Sequence, residues 1–180
     1  MKRSDLEHVI RAACDLVDAQ ELVVIGSQAI LAQYPSAPAE LTYSKEADVF
    51  SRADPSASDL IDAVLGERSQ FDETFGYYVH GVGPETAVLP AKWQDRLVPI
   101  SNENTRYCTG WCLEAHDLAA SKLAAGRPKD HDFVRVLLRH RMIDVDELQR
   151  RLGTLPLPPE RVGQLTRSAV RLQREATVDS

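Results

Sequence analysis

The stretch at residues 21–50, ELVVIGSQAILAQYPSAPAELTYSKEADVF, decides the fold. It begins with an apolar run, residues 22–25, whose length and β-branched content predict a buried strand. Gly26 and Ser27 end that run, and residues 28–33 are predicted to form a helix. A small residue at such a strand-to-helix junction leaves backbone N–H groups facing outward, where a phosphate can bind.

The same stretch ends in a second predicted strand that carries two acids, residues 46–50 (EADVF). Side chains two apart in a strand point to the same face, so Glu46 and Asp48 project together. Two adjacent carboxylates repel each other, and a divalent cation bound between them relieves that cost. Hard oxygen ligands favour Mg²⁺ or Mn²⁺, usually brought in with substrate phosphates. The alternative is a pair of solvated acids at the edge of a strand.

A later segment, residues 118–133 (LAASKLAAGRPKDHDF), combines cations and acids with helical signals. Residues 115–125 are predicted to be a helix that Gly126 ends, and a proline then suits the first turn of the next helix. Lys122 lies alone in an otherwise apolar helix, where a solvated lysine is the ordinary interpretation. Asp130 falls in the first turn of the following helix, which the helix dipole favours without any function.

Together these segments resemble the DNA polymerase beta-like nucleotidyltransferase superfamily. A strand, a Gly-Ser pair, a short helix, a loop and a carboxylate-x-carboxylate strand follow each other in that order. The segment around Lys122 is similar to the helix pair of the minimal bacterial nucleotidyltransferases of AbiEii/MenT type, found in toxin–antitoxin and phage-defence loci. One departure is Glu46, because that family usually has Asp at both positions of the acid pair.

The resemblance implies a metal-dependent transfer of a nucleotidyl group from an NTP. The implied metal ligands are Glu46 and Asp48, for Mg²⁺ or Mn²⁺, and Asp130 is the implied acid that assists the attacking group, with Asp132 as its possible substitute. The residues implied to bind the triphosphate are Gly26, Ser27, Lys122, Arg127 and Lys129. The implied acceptor is an RNA 3′ end, above all of tRNA, or a protein hydroxyl. An antitoxin encoded nearby is the implied protein partner.

A third metal-binding acid is usual in polymerase-like enzymes, and Glu85 and Asp95 are the candidates here, although neither lies in a persuasive strand pattern. His80 shows no ligand spacing and is assigned no role. Two further hypotheses stay open. One is a catalytically degenerate protein of the same fold that binds nucleotide or a partner, and the other is a structural interaction module that binds no nucleotide.

The chain has 180 residues and a net charge of −6, so any contact with nucleic acid requires a local basic patch. Arginines that could form one, or could be solvated, are Arg135, Arg139, Arg141, Arg150, Arg151, Arg161, Arg167, Arg171 and Arg174. No apolar run has the length of a membrane span, and the chain starts on a charged helix, which predicts a cytoplasmic protein with no membrane partner.

The predicted fold class is α+β, with a small mixed sheet of nucleotidyltransferase type flanked by helices. Residues 1–113 form the predicted αβ core, and residues 114–180 form a helical region packed on it in one compact domain. The further predicted strands are residues 74–82 and 86–89 as a hairpin, a strand within 93–100, and 107–113. The other predicted helices are residues 5–18, 60–65, 129–141, 144–152 and 159–174, followed by a frayed tail at 175–180.

The chain has three cysteines. Cys14 is predicted to lie in the core. Cys108 and Cys112 are interpreted as small core thiols, with a metal site or a disulfide between them as the alternative.

Overall fold

The computed structural model describes residues 1–178 and contains a five-stranded mixed sheet with helices around it, which confirms the predicted α+β class. The strands are β1 (Glu21–Val24), β2 (Glu46–Ser51), β3 (Tyr78–Gly81), β4 (Val98–Ile100) and β5 (Thr109–Cys112). The helices are α1 (Arg3–Val17), α2 (Ala39–Thr42), α3 (Ser58–Leu65), α4 (Gln70–Phe75), α5 (Ala115–Ala125), α6 (Pro128–Arg139), α7 (Val145–Leu152) and α8 (Pro159–Val178). No helix within the described part of the chain has the length and apolar character needed to cross a membrane.

The chain divides into two compact units. The first comprises Met1–Thr86 and Leu97–Leu113 and contains the whole sheet. The second comprises Ala87–Arg96 and the chain from Glu114 onward, and contains helices α5 to α8. The single compact domain predicted from the sequence stays a prediction.

In the first unit, β1 lies at the centre of the strand order β3-β2-β1-β5-β4. It pairs antiparallel with β2 and parallel with β5, while β2 pairs parallel with β3. On one face of α1 the apolar residues Leu6, Val9, Ile10 and Ala13 are fully buried, as their helical spacing predicts. A Cβ on Gly110 of β5 would come within 2.4 Å of Ile10 Cδ1, so glycine is what allows α1 to lie this close to the sheet.

In the second unit, the four helices bury apolar faces and two carboxylates, those of Asp117 and Asp130. The buried positions of α8, Leu165, Ala169, Leu172 and Ala176, recur at helical spacing. Asp117 of α5 is fully buried and accepts hydrogen bonds from Arg96 Nε at 2.8 Å and from Arg151 Nη1 at 2.9 Å. A buried carboxylate needs such partners, because removing its hydration is costly.

The predicted strand at residues 74–82 is wrong in its first half. Ser69 caps α4 by accepting the backbone N–H of Asp72 at 3.2 Å, and the helix continues to Phe75. Gly76 then ends it with a φ of +73°, which glycine adopts without steric cost. Two of the aromatic residues that suggested a strand, Phe75 and Tyr77, instead pack together with ring centroids 6.0 Å apart, and Phe71 of α4 packs against Phe75 at 4.9 Å.

The predicted hairpin is also wrong, because no strand forms at residues 86–89. Pro84–Thr86 is a 3-10 turn, and the second half of the hairpin has no ladder. Likewise Trp93–Arg96 is a 3-10 turn, and only Val98–Ile100 becomes a strand. Arg96 explains part of this outcome, since its guanidinium bonds both Asp117 and the Ala91 carbonyl and so fixes the segment in a turn.

Two further predictions need correction. Helix α8 runs to Val178 with Ala176 buried, so the frayed tail is wrong for residues 175–178, while residues 179–180 lie outside the described part of the chain. Cys14 and Cys108 are joined by a disulfide, whereas Cys112 is a free buried thiol. The bonded pair is separated by 94 positions in sequence, so local spacing could not indicate it.

Candidate metal and nucleotide site

The acid pair lies on one face of β2, as predicted. Ala47 and Val49 are fully buried on the other face. The side chains of Glu46 and Asp48 are 36% and 25% exposed. The two carboxylates are therefore neither freely solvated nor closed off from a ligand.

A histidine from the neighbouring strand completes this face. In the parallel pairing of β2 with β3, Asp48 lies opposite His80 and Glu46 lies opposite Tyr78. His80 Nδ1 is 3.0 Å from Asp48 Oδ1 and 3.2 Å from Glu46 Oε1. The Tyr78 hydroxyl donates a hydrogen bond to Glu46 Oε2 at 3.1 Å. The sequence analysis missed His80, because its place beside the acids depends on the pairing of two strands distant in sequence.

The loop after β1 lies directly against Asp48. A Cβ on Gly26 would be 1.8 Å from Asp48 Oδ2, so only glycine fits while the acid keeps its position. The backbone N–H of Ile25 also donates to the Asp48 carbonyl at 3.1 Å. The φ of Gly26 is −82°, so the need for glycine comes from space and not from an unusual backbone conformation. The structure thus brings Gly26 and Asp48 together.

Ser27 begins a 3-10 helix, Ser27–Ala32, where the sequence predicted an ordinary helix at 28–33. Its hydroxyl accepts a hydrogen bond from Gln28 Nε2 at 3.4 Å. Gln28 is fully buried, and its Oε1 has no hydrogen-bond partner within residues 1–178. The same helix buries Ala29, Ile30 and Leu31.

The two carboxylates of the site repel each other, and their pKa values shift in opposite directions. Burial raises the pKa of Asp48 to about 6, and the nearby Glu46 carboxylate adds to that rise. Burial also opposes ionisation of Glu46, but hydrogen bonds from Asp48, Tyr78 and His80 lower the pKa of Glu46 below its ordinary value. Burial disfavours a charged His80, yet the hydrogen bond to Asp48 and the two negative charges raise the pKa of His80. The raised pKa values of Asp48 and His80 are the shifts expected where two carboxylates lack enough positive charge nearby.

These donors fit a divalent cation. Ligand atoms of Glu46, Asp48 and His80 all lie within 4.8 Å of one another, and within residues 1–178 no other trio of His, Cys, Asp or Glu does so. Adjacent ligands on an octahedral ion with bonds of about 2.1 Å are separated by about 3 Å. The contacts of 3.0 and 3.2 Å made by His80 Nδ1 match that spacing.

The two candidate third acids are not members of this cluster. Glu85 lies in the 3-10 turn after β3, with its carboxylate against Gly83. Asp95 lies in the turn Trp93–Arg96. The third member of the cluster is the imidazole of His80.

A second charged cluster lies in the second unit, at the start of α6. Asp130 is fully buried and accepts from Arg127 Nε at 2.7 Å and from Lys122 Nζ at 3.3 Å. Burial alone would raise the pKa of Asp130, but the hydrogen bond from Arg127 and the charge of Lys122 lower it. Lys122 Nζ also lies 4.6 Å from the centroid of the Phe133 ring. The structure therefore brings Lys122, Arg127 and Asp130 together.

The remaining predicted residues of this segment lie at the surface. Lys129 is exposed. Asp132 is 60% exposed and pairs with Arg135 at 2.7 Å. The assignment of Lys122, Arg127, Lys129 and Asp130 to an NTP stays a prediction.

Among the C-terminal arginines, Arg151 differs in its surroundings from the arginines of α8. Arg151 is 17% exposed and holds Asp117 and Glu147, so it stabilises the fold and is not part of an open basic surface. On α8, the exposed face carries arginines at helical spacing, opposite the buried apolar stripe. They are Arg167, Arg171 and Arg174, whereas Arg161 is exposed in the first turn of the helix and not on that face.

Comparison with known proteins gives one match. The family model described as "Nucleotidyltransferase of unknown function (DUF6036)" matches residues 4–156, which include both β2 acids, His80 and the Lys122 cluster. No curated protein and no solved structure shows a significant match to the chain.

Proposed function

The chain belongs to this family of nucleotidyltransferases, and from that premise we propose that it transfers a nucleotidyl group from an NTP in a metal-dependent reaction. The observation that carries the proposal is the cluster of Glu46, Asp48 and His80 beside Gly26. Perturbed acids gathered next to a glycine loop are typical of functional sites, because a fold gains nothing from placing like charges together.

In the proposed reaction an acceptor hydroxyl attacks the α-phosphorus of the NTP. A new P–O bond forms to the acceptor, the bond to pyrophosphate breaks, pyrophosphate leaves, and the hydroxyl proton passes to water. Glu46 and Asp48 would hold a Mg²⁺ or Mn²⁺ ion, which neutralises phosphate charge when bound. Catalysis of this kind is mostly positioning and charge neutralisation, so residues that fix the triphosphate matter as much as the acids.

Triphosphate binding is assigned to five groups in this proposal. Ser27 offers its hydroxyl and its backbone N–H, and Gly26 lets the loop approach the phosphates closely. Positive charge comes from Lys122, Arg127 and Lys129. Asp130 is better suited to orienting Lys122 and Arg127 than to accepting a proton, because those two cations keep its carboxylate ionised.

The glutamate at the first position of the acid pair is compatible with activity. Glu46 has a longer side chain than Asp, and the Tyr78 hydroxyl holds one of its carboxylate oxygens at 3.1 Å. The other oxygen reaches His80 Nδ1 at 3.2 Å. These two contacts favour an assembled site over a degenerate one.

The proposed acceptor is an RNA 3′ end, with tRNA first, and a protein hydroxyl is the alternative. Arg167, Arg171 and Arg174, exposed on one face of α8, support RNA, since guanidinium groups on one face suit a phosphate backbone. The likeness of the Lys122 segment to AbiEii/MenT proteins adds the proposal that this chain is the toxin of a toxin–antitoxin pair, with its antitoxin encoded nearby.

The test is transfer of label from α-labelled NTPs to RNA or protein, with Mg²⁺ or Mn²⁺ present. We expect wild-type protein to label an acceptor and Asp48→Ala to abolish labelling. Asp59→Ala, which removes an exposed acid of α3, is the matched control and should label normally. NTP binding without transfer by the wild-type protein would contradict the enzymatic proposal and favour a nucleotide-binding protein.

A further inference from the structure

The neighbour of the acid pair on β3 is His80, whose imidazole offers a nitrogen donor beside two carboxylates. We propose that His80 is itself a metal ligand, through Nδ1, and that the site therefore binds Mn²⁺ in preference to Mg²⁺. This inference rests on the metal site of the proposed function and specifies which ion that site selects.

The sheet fixes His80 in position for this role. Parallel pairing places His80 opposite Asp48, and side chains at paired positions of adjacent strands lie on the same face. Val79 between Tyr78 and His80 is fully buried, which anchors the strand and prevents the imidazole from turning to the other face. Behind β3, a Cβ on Gly81 would come within 2.0 Å of the Ser58 carbonyl, so α3 packs tightly on this strand.

The distances suit ligation. Nδ1 lies 3.0 Å from Asp48 Oδ1 and 3.2 Å from Glu46 Oε1, close to the separation of adjacent ligands on one ion, and ligand atoms of all three residues lie within 4.8 Å of one another. The imidazole side chain is 46% exposed, which leaves its outer edge open to solvent. Ligation at Nδ1 requires the ring proton on Nε2, where water can accept it.

Two carboxylates and one imidazole as ligands favour Mn²⁺ over Mg²⁺. Mg²⁺ strongly prefers oxygen ligands and retains its waters, whereas Mn²⁺ accepts carboxylate and imidazole together. Affinity for a mixed nitrogen and oxygen site also rises along the first transition series, in which each ion binds imidazole better than Mg²⁺ does. A carboxylate in place of His80 would remove this preference for Mn²⁺ over Mg²⁺.

Tyr78 supports the same arrangement without contributing a ligand to the trio. Its hydroxyl donates to Glu46 Oε2, which leaves Oε1 directed toward His80. Hydrogen bonds that orient ligating carboxylates are part of a metal site, and their loss weakens metal binding. Tyr78 is therefore a positioning residue.

The experiment measures binding of Mn²⁺ and Mg²⁺ to the full chain without nucleotide, by calorimetry and by electron spin-echo modulation of bound Mn²⁺. Wild-type protein should bind Mn²⁺ at least about tenfold more tightly than Mg²⁺, with a nitrogen modulation from a directly bound imidazole. His80→Gln should lose that modulation and about tenfold in Mn²⁺ affinity, with little change for Mg²⁺. His131→Gln, on α6, is the matched control and should keep both.

The wild-type spectrum shows whether an imidazole binds Mn²⁺ directly even if a His80 variant fails to fold. Bound Mn²⁺ without nitrogen modulation, or equal affinity for the two ions, would overturn the inference. Because no nucleotide is present, this result is separate from transfer activity. A nitrogen-ligated Mn²⁺ in a protein that transfers nothing would leave the inference standing and defeat the proposed function.

Discussion

Two aspartates in this molecule, the partly buried Asp48 and the fully buried Asp130, have pKa values shifted in opposite directions. Asp48 faces another carboxylate, and burial raises its pKa to about 6. Asp130 is more deeply buried, yet Arg127 and Lys122 lower its pKa. For these two residues the difference lies in the partners, because the more deeply buried Asp130 has the lowered pKa. Asp130 is neutralised by its own fold, whereas Asp48 is left with a charge that an external cation would neutralise.

From this contrast we infer that Asp130 stabilises the fold, whereas Asp48 serves a ligand. A buried carboxylate with two cationic partners is held in its charged form, and removing it takes a counter-charge from both cations, which is costly in a folded chain. A carboxylate beside another acid raises that free energy and is retained only where it serves a ligand. The two aspartates should therefore respond oppositely to the same Asp→Asn change.

The largest effect on stability is expected at Asp130. Asp130→Asn should lower the free energy of unfolding at pH 7 by about 3 kcal/mol, because it removes a fully buried negative charge that Arg127 and Lys122 both contact. Asp132→Asn, two residues away and paired only at the surface, is the matched control and should change it by less than about 1 kcal/mol. Denaturant titration measures both. Equal, small effects would mean that the Asp130 pairs contribute nothing.

The pH dependence of that loss has a defined sign. The folded-state pKa of Asp130 is depressed, so its contribution is present above the unfolded value of 3.8 and is lost as the pH falls through the lower folded value. The stabilities of Asp130→Asn and wild type should therefore converge in acid. A difference that persists undiminished below pH 3 would contradict the ion-pair explanation.

A change of intermediate size is expected at the glycine that touches Asp48. Gly26→Ala should reduce nucleotidyl transfer by about 100-fold, because the new methyl group displaces the acid by an ångström or more. Gly163→Ala on α8, where the nearest atom to an added Cβ is 3.5 Å away, should leave transfer unchanged. Initial rates measure both variants. Normal transfer by Gly26→Ala would show that the close approach of loop and acid is dispensable.

The smallest effect is a gain in stability at Asp48. Asp48→Asn should raise the free energy of unfolding of metal-free protein by about 2 kcal/mol at pH 8, because it removes a charge that the fold disfavours. The raised pKa means that wild type loses stability as the pH rises from 4 through 6. The gain should thus vanish below pH 4. Destabilisation by Asp48→Asn at pH 8 would contradict the account of a strained acid pair.

The parts of the site that follow from local pattern could be predicted from the sequence. Alternation along residues 46–50 placed both acids on one face, and Gly26 is an obvious strand-to-helix junction. Helix α5 was predicted with the bounds that the structure gives, Ala115–Ala125, because glycine and proline signals follow it. Each of these inferences uses residues within one or two elements.

What depends on distant pairing could not be predicted in the same way. His80 joins the acids only through the β2–β3 ladder, and the disulfide joins Cys14 to Cys108 across 94 positions. The aromatic residues near Phe75 fit a strand by composition, yet they pack as a cluster at a helix end. Tertiary contacts override local propensity in such segments. Knowledge of the β2–β3 register alone would have revealed His80.

The most direct test is the crystal structure of the chain with Mn²⁺ and a non-hydrolysable NTP, using the anomalous signal of manganese. We predict a manganese peak bonded to Glu46, Asp48 and His80, with the triphosphate beside Gly26 and Ser27. A manganese peak away from these three side chains, or a nucleotide bound elsewhere on the chain, would contradict the assignment of this face of the sheet as the active site.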